Sequence, residues 1–167
     1  MANLSASWRT ASIAHVVLKH GATAPDCGAP WPDANRLSER EGLVLANMAP
    51  DAALAIGRQE DAQWSDALRV QLQSQATVTD QSGAYRVLRL EGADARMLLS
   101  SGIFMALDAE AFPPGASAAV RCGHIAVILL HRADGAFEIL TPRSFCESFL
   151  HWLNASAAMR GIPVLKL

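Results

Sequence analysis

Cysteine and histidine side chains are the first candidates for chemistry in this chain of 167 residues. The tightest pairing of the two types is Cys122-Gly-His124, and residues two apart on a strand face the same side of a sheet. The pair could share a metal ion, but zinc in proteins takes three or four protein ligands and no further ligands are evident. Free cysteine usually acts as a small core residue. We therefore assign no metal site and expect both residues at a break between strands.

A second candidate is Cys146, near the start of a helix predicted to begin at Thr141-Pro142. A helix N-terminus lowers a thiol pKa, but a nucleophile also needs a base. Phe145 adjoins Cys146 on what reads as the apolar face of this helix, so Cys146 is predicted to fill the core or an interface. Arg143 and Ser144 stand at the same helix start, where they could hold an anion or a partner's carboxylate, or be solvated.

Motifs for nucleotide binding and acyl transfer are missing. The chain contains no G-x-G-x-x-G, no phosphate-binding loop and no G-x-S-x-G. Asp108 and Glu110 lie close together, but solvation explains them as well as catalysis does. The residues alone therefore assign no catalytic, cofactor-binding or metal-binding role.

Composition excludes several classes of protein. The net charge is −2 and the 14 basic residues form no run, which argues against nucleic-acid binding. No apolar stretch approaches the roughly 20 residues of a membrane helix, and no secretory signal is visible. An odd number of cysteines, three, indicates a reducing compartment, so we expect a cytoplasmic protein. Only 18% of the residues are charged, which suits a surface partly covered by partners.

The elements that must position these residues form an α+β pattern with antiparallel strands and covering helices. We predict a single domain over residues 1–167, with a less regular first half (1–75) and a more regular second half (76–160). Residues 1–12 read as a loose arm, and 161–167 as an edge strand or loose tail. Predicted strands cover residues 15–20, 43–49, 53–58, 76–79, 85–90, 117–122, 124–131 and 137–140; predicted helices cover 62–73, 94–101 and a last one from 141.

Two of the predicted helices carry clear signals. Trp64, Leu68 and Leu72 are spaced as one helical face, and Asp61 precedes them as a cap. Gly102 follows the helix over 94–101 as its C-terminal stop. In the last helix, the residues placed on one apolar face are Phe145, Phe149, Trp152 and Leu153.

An ordered series of residues from Val78 to Leu153 resembles the gamma subunit of heterotetrameric sarcosine oxidases. The series first follows the pattern D-x-S…G-x-D-A-x-x-L-L, here Asp80, Ser82, Gly92, Asp94, Ala95, Leu98 and Leu99. It continues with Gly102, Asp108, Phe112-Pro-Pro-Gly115, Gly123-His124, Phe137 and Pro142-Arg-Ser144. More distantly, the same stretch resembles the folate-binding domain of the glycine-cleavage T-protein, which implies antiparallel strands flanked by helices.

This resemblance implies a non-catalytic subunit of a flavoenzyme complex. In such oxidases, partner chains hold FAD, FMN, NAD, tetrahydrofolate and zinc, while the gamma chain holds none. The complex oxidatively demethylates a secondary amine and passes the one-carbon unit to tetrahydrofolate. The partners implied are the alpha, beta and delta subunits. Asp80, Ser82, Arg143 and Ser144 are our candidates for an interface with them.

Two alternatives stay open at this point. One is a delta-type subunit of an N-methylglutamate dehydrogenase, and the other is a free-standing folate-binding or aminomethyltransferase-like protein. The second is disfavoured because the strand over residues 124–130 lacks the acidic pair that the T-protein family carries there. A third, weaker alternative is a metal-binding enzyme that uses Cys122 and His124.

Overall fold

The protein is described by a computed structural model covering residues 4–162. It contains two five-stranded sheets and three helices, and the chain divides into two compact units. The continuous unit spans residues 10–85, and the discontinuous unit combines residues 4–9 with 86–162. The predicted α+β class with antiparallel sheets is confirmed.

In the continuous unit, five strands form a sheet in the order β3-β4-β5-β2-β6. The strands are β2 (Ile13–Leu18), β3 (Leu37–Arg40), β4 (Leu43–Ala49), β5 (Ala52–Ile56) and β6 (Ala76–Asp80), and the helix is α1 (Trp64–Leu72). All five residues of β5 are buried, as expected for a central strand. Leu68 and Leu72 turn inward as their spacing predicted, and Asp61 Oδ1 accepts a hydrogen bond from the Gln63 N–H just before the helix.

The discontinuous unit has a sheet in the order β1-β7-β10-β9-β8. Its elements are β1 (Ser5–Arg9), β7 (Tyr85–Glu91), α2 (Ala95–Leu99), β8 (Ser117–Cys122), β9 (Ile125–His131), β10 (Phe137–Pro142) and α3 (Cys146–Ala158). One face of this sheet and the two helices enclose a core that includes Leu88, Leu129, Ile139 and Phe149. The turns between β8, β9 and β10 use Gly123 and Gly135, whose φ angles of 58° and 86° suit glycine.

Two strands escaped sequence prediction. Residues 5–9 belong to β1, which pairs antiparallel with β7 from Ser5↔Glu91 to Arg9↔Val87, so the expectation of a loose arm was wrong. Its residues are mostly polar or small, and the strand is specified by a partner some 80 positions away. The other missed strand, β3, is a polar edge strand of four residues, and polar side chains are typical of sheet edges.

The start of the last helix was also predicted incorrectly. Pro142 ends β10, a 3₁₀ turn covers Arg143–Phe145, and α3 begins only at Cys146. Thr141 therefore does not cap α3, and its Oγ1 is buried without a hydrogen-bond partner among the described residues. Phe145 is 49% exposed, whereas Phe149 and Leu153 are fully buried. The predicted edge strand or tail over 161–167 lies largely outside the described residues.

Candidate functional site

Asp80 and Ser82, two of the four candidate interface residues, close the turn that follows β6. Asp80 Oδ1 accepts hydrogen bonds from the Ser82 N–H at 2.9 Å and the Ser82 hydroxyl at 2.6 Å. Those bonds lower the pKa of Asp80. Ser82 Oγ also accepts from the Ile13 N–H at 2.9 Å. The pair thus joins the turn to β2 in the continuous unit, while Asp80 stays exposed.

Arg143 and Ser144, the other two candidates, lie in the 3₁₀ turn before α3, in the discontinuous unit. Both side chains are exposed. The structure therefore places the four residues in two pairs, one pair in each unit.

A cleft of about 540 Å³ opens beside this 3₁₀ turn. Strand β1 forms one side, and the first turns of α3 form the other. The lining residues are Ala6, Ser7, Trp8, Arg86, Cys146, Glu147 and Leu150. The Arg86 guanidinium stacks over the Trp8 ring at 5.2 Å from its centroid, which combines a cation–π contact with packing. Sequence reasoning missed this cleft because it missed β1.

The Cys146 side chain contributes a thiol to the cleft. Its Sγ lies 3.6 Å from the Pro142 carbonyl oxygen and 4.0 Å from that of Thr141. Burial raises the pKa of the Cys146 thiol, although the charges of Arg86 and Arg143 act in the opposite direction. A raised pKa leaves a thiol protonated and poorly nucleophilic at neutral pH. This arrangement suits the predicted filling role of Cys146.

Cys122 and His124 do not converge on one site. Cys122 is 2% exposed at the end of β8, and burial raises its pKa to about 12. His124 lies in the following turn with its side chain exposed. Across residues 4–162, no group of three or more histidine, cysteine, aspartate or glutamate side chains is arranged to hold a metal ion.

A buried carboxylate, Glu138 on β10, lies among three arginines of the discontinuous unit. Arg9 binds it through both Nε and Nη2, at 3.0–3.2 Å from its oxygens. Arg132 bonds Glu138 Oε2, and Arg89 Nη1 lies 3.8 Å from Oε1. The sequence indicated part of this cluster, because Glu138 interrupts the apolar run Phe137–Leu140 and Arg132 lies six positions earlier. Nothing in the sequence predicted the contact with Arg9.

His131, on β9, is buried and packs against the rings of Phe112 and Phe137. Its ring stacks on Phe137 at 4.5 Å and on Phe112 at 6.1 Å between centroids. Its Nδ1 lies 3.0 Å from the Phe112 carbonyl oxygen. This buried histidine therefore ties the Phe112–Gly115 turn to the sheet.

The fold resembles that of solved structures of known enzymes. A heterotetrameric sarcosine oxidase from Corynebacterium sp. U-96, in complex with pyrrole 2-carboxylate, contains a chain that matches with a TM-score of 0.84 at 21% identity. The match covers 98% of this chain and 88% of that one. No curated protein sequence matches the chain.

A family model matches most of the chain. The model of the family "Sarcosine oxidase, gamma subunit family" matches residues 22–159. The chain belongs to the sarcosine oxidase gamma subunit family. The match begins well before Val78, so the family pattern takes in most of the continuous unit as well as the stretch recognised in the sequence.

The distant likeness of this gamma-family chain to the T-protein is confirmed at the level of fold. Aminomethyltransferase T of the glycine cleavage system from Bartonella henselae matches with a TM-score of 0.70 at 13% identity. The match covers 98% of this chain and 48% of the aminomethyltransferase, so the chain spans about half the length of that enzyme.

None of the helices within residues 4–162 has the length and apolar character that a membrane-spanning helix requires.

Proposed function

We propose that this chain is the gamma subunit of a heterotetrameric sarcosine oxidase, which acts through its contacts with other subunits. The observation that carries the proposal is the family match over residues 22–159. The fold shared with a chain of a heterotetrameric sarcosine oxidase supports it. The complex would oxidatively demethylate sarcosine or a related secondary amine and pass the one-carbon unit to tetrahydrofolate.

The surface of the discontinuous unit suits a subunit. Phe104 is 94% exposed, and Met97, Phe145 and Met159 are each at least 49% exposed. Single exposed apolar residues are normal on any protein, so these side chains are compatible with a covered subunit surface and do not by themselves indicate one.

We further propose that the partner chains are the alpha, beta and delta subunits and that they hold FAD, FMN, NAD, tetrahydrofolate and zinc. The alternative of a delta-type subunit of an N-methylglutamate dehydrogenase is not favoured by the family match. Asp80, Ser82, Arg143 and Ser144 remain proposed interface residues. Of these, Arg143 and Ser144 are the better candidates, because Ser82 is already engaged in the bond to Ile13.

Co-expression tests the proposal directly. The full chain is produced with the products of the adjacent genes, one of which carries a purification tag. The chain should co-purify and elute in one large complex on size-exclusion chromatography, and that complex should show flavin absorbance and sarcosine-dependent activity. A chain that elutes as a monomer beside an assembled oxidase would refute the proposal.

Isothermal titration calorimetry tests the aminomethyltransferase-like alternative. Titration of the isolated chain with tetrahydrofolate should give no binding heat at high micromolar concentration, because β9 offers no carboxylate where the T-protein family carries acidic residues. Saturable heat would instead favour a folate-binding role for this chain.

A further inference from the structure

Two arginines lie beside the cleft. Within residues 4–162, Arg86 and Arg143 form no salt bridge; Arg86 only stacks on Trp8, and Arg143 is exposed in the 3₁₀ turn. Arg86 lines the cleft, and Arg143 precedes the lining residue Cys146 by three positions, in the 3₁₀ turn that leads into α3. Among the described residues that line the cleft, Glu147 is the one carboxylate, and it offsets only one of the two arginines. The cleft and the adjoining 3₁₀ turn together therefore carry two arginines against one carboxylate, a surplus positive charge that a partner's carboxylate would complement.

The other wall of the cleft is a sheet edge. Strand β1 is the end strand of its sheet and pairs only with β7 among the described residues. Alternate residues of such a strand direct their N–H and C=O groups away from the sheet. A groove between an edge strand and a helix is a common binding site for extended peptides, which add to the sheet and place side chains in the groove.

We infer that the cleft between β1 and α3 binds an extended segment of a partner subunit, with an acidic side chain of that segment bound by Arg86 and Arg143. The inference rests on the proposed function, since it requires a partner subunit. Trp8 and Leu150 would contact the apolar part of the segment, and Glu147 favours a segment with one or two carboxylates over a strongly acidic one.

A pair of charge-neutralising variants tests the electrostatic part. The chain is co-expressed with its tagged partner subunits as wild type, as the double variant Arg86→Gln/Arg143→Gln, and as the control Arg40→Gln/Arg58→Gln. The control removes the same charge from exposed positions of the continuous unit. The cleft variant should weaken association at least about tenfold, and the control should match wild type. Arg143→Gln alone, at an exposed site, should also weaken association without altering thermal unfolding.

Photo-crosslinking tests which segment occupies the cleft, on a chain that keeps both arginines. A photoreactive p-benzoylphenylalanine replaces Leu150, which lines the cleft on α3, and a control carries it in place of the exposed Ser74. Irradiation of the assembled complex should link position 150 to a partner-subunit peptide that contains aspartate or glutamate, and position 74 should not capture that peptide.

The outcomes separate this inference from the proposed function. If the wild-type chain fails to assemble with the partner subunits, the proposed function is wrong and the inference falls with it. If wild type assembles and the cleft variant assembles equally well, the inference is wrong while the proposed function stands. The same holds if position 150 crosslinks to a second copy of this chain or to a partner segment without carboxylates.

Discussion

Gly102 lies against the ring of Trp152 in the core of the discontinuous unit. A Cβ atom at this position would lie 2.3 Å from Cζ2 and 2.8 Å from Cε2 of that ring, and 3.1 Å from the Cys122 sulfur. The sequence suggested a different reason for the glycine, a left-handed helix stop, but the φ angle of Gly102 is not in the left-handed region. Close packing against a side chain 50 positions later is what excludes a larger residue here.

Gly102→Ala should therefore destabilise the protein. Overpacking a filled core typically costs about 1–3 kcal/mol, and the free energy of unfolding in urea measures it. Gly83→Ala is the matched control, because a Cβ at Gly83 meets nothing within 4 Å and its φ is ordinary. The control should be neutral or stabilise by up to about 1 kcal/mol. Equal losses in the two variants would contradict the packing argument.

The three cysteines should differ in reactivity. Burial raises the pKa from 9.0 to about 11 for Cys27, with a smaller contribution from Asp26, and to about 12 for Cys122. A higher pKa means less thiolate at neutral pH, by about a hundredfold and a thousandfold respectively. Cys146 lines an open cleft, and two arginine charges oppose the effect of its burial.

In the folded chain, iodoacetamide should alkylate Cys146 first, then Cys27, and Cys122 last. Peptide mass spectrometry after short labelling at neutral pH measures the order. The same experiment in denaturant serves as the control, since all three thiols should then react at similar rates. Preferential labelling of Cys122 in the folded chain would contradict the burial of its side chain.

At the scale of elements, the ion cluster around Glu138 joins three strands of one sheet. Arg9 on β1 reaches Glu138 on β10, and Arg89 on the intervening β7 lies between them. Glu138 is only 2% exposed. Removing one member of such a buried cluster leaves uncompensated charge and costs more than the pairing itself contributes.

Glu138→Gln should thus reduce the free energy of unfolding by about 3–5 kcal/mol. The control is Glu91→Gln, which removes an exposed carboxylate that binds Arg89 at 2.9 Å and should cost less than about 1 kcal/mol. Urea unfolding at neutral pH compares the two. A small loss in both variants would show that the arginines are compensated by solvent.

The elements that the sequence predicted are those with local signals. Helix α1 has its apolar face at regular spacing, and the β9–β10 hairpin is marked by Asp134-Gly135. Strand β1 has no such signal, because Ser5–Arg9 becomes a strand only through its pairing with β7. The candidate cleft depends on that strand, so only its α3 side, including Arg143 and Cys146, was accessible from the sequence.

At the scale of the whole molecule, the family resemblance supported the predicted fold, because local sequence signals do not specify how distant elements pair. Residues 78–153 carried the recognisable series, yet the family match extends over 22–159. The compact units do not follow the predicted halves: the boundary lies near residue 85, and the first strand belongs with the second half of the chain. Strand pairing between distant segments determines that division.

Exposed apolar surface should affect the behaviour of the isolated chain in solution. Phe104 is 94% exposed and lies beside a hollow of about 270 Å³ formed with Ile103, Met105, Val120 and Arg121. Such surface promotes self-association when no partner covers it. Because the ring makes few contacts in the folded chain, Phe104→Ser should change the free energy of unfolding by less than about 0.5 kcal/mol.

Phe104→Ser should, by contrast, reduce concentration-dependent self-association of the isolated chain, measured by sedimentation velocity. Phe104→Leu is the matched control: it keeps an apolar side chain of similar reach and should associate as the wild type does. A serine variant that associates like wild type would assign any self-association to another surface. A serine variant that unfolds more easily would show that the Phe104 ring packs within the chain. Phe104 would then not belong to a surface that a partner subunit covers.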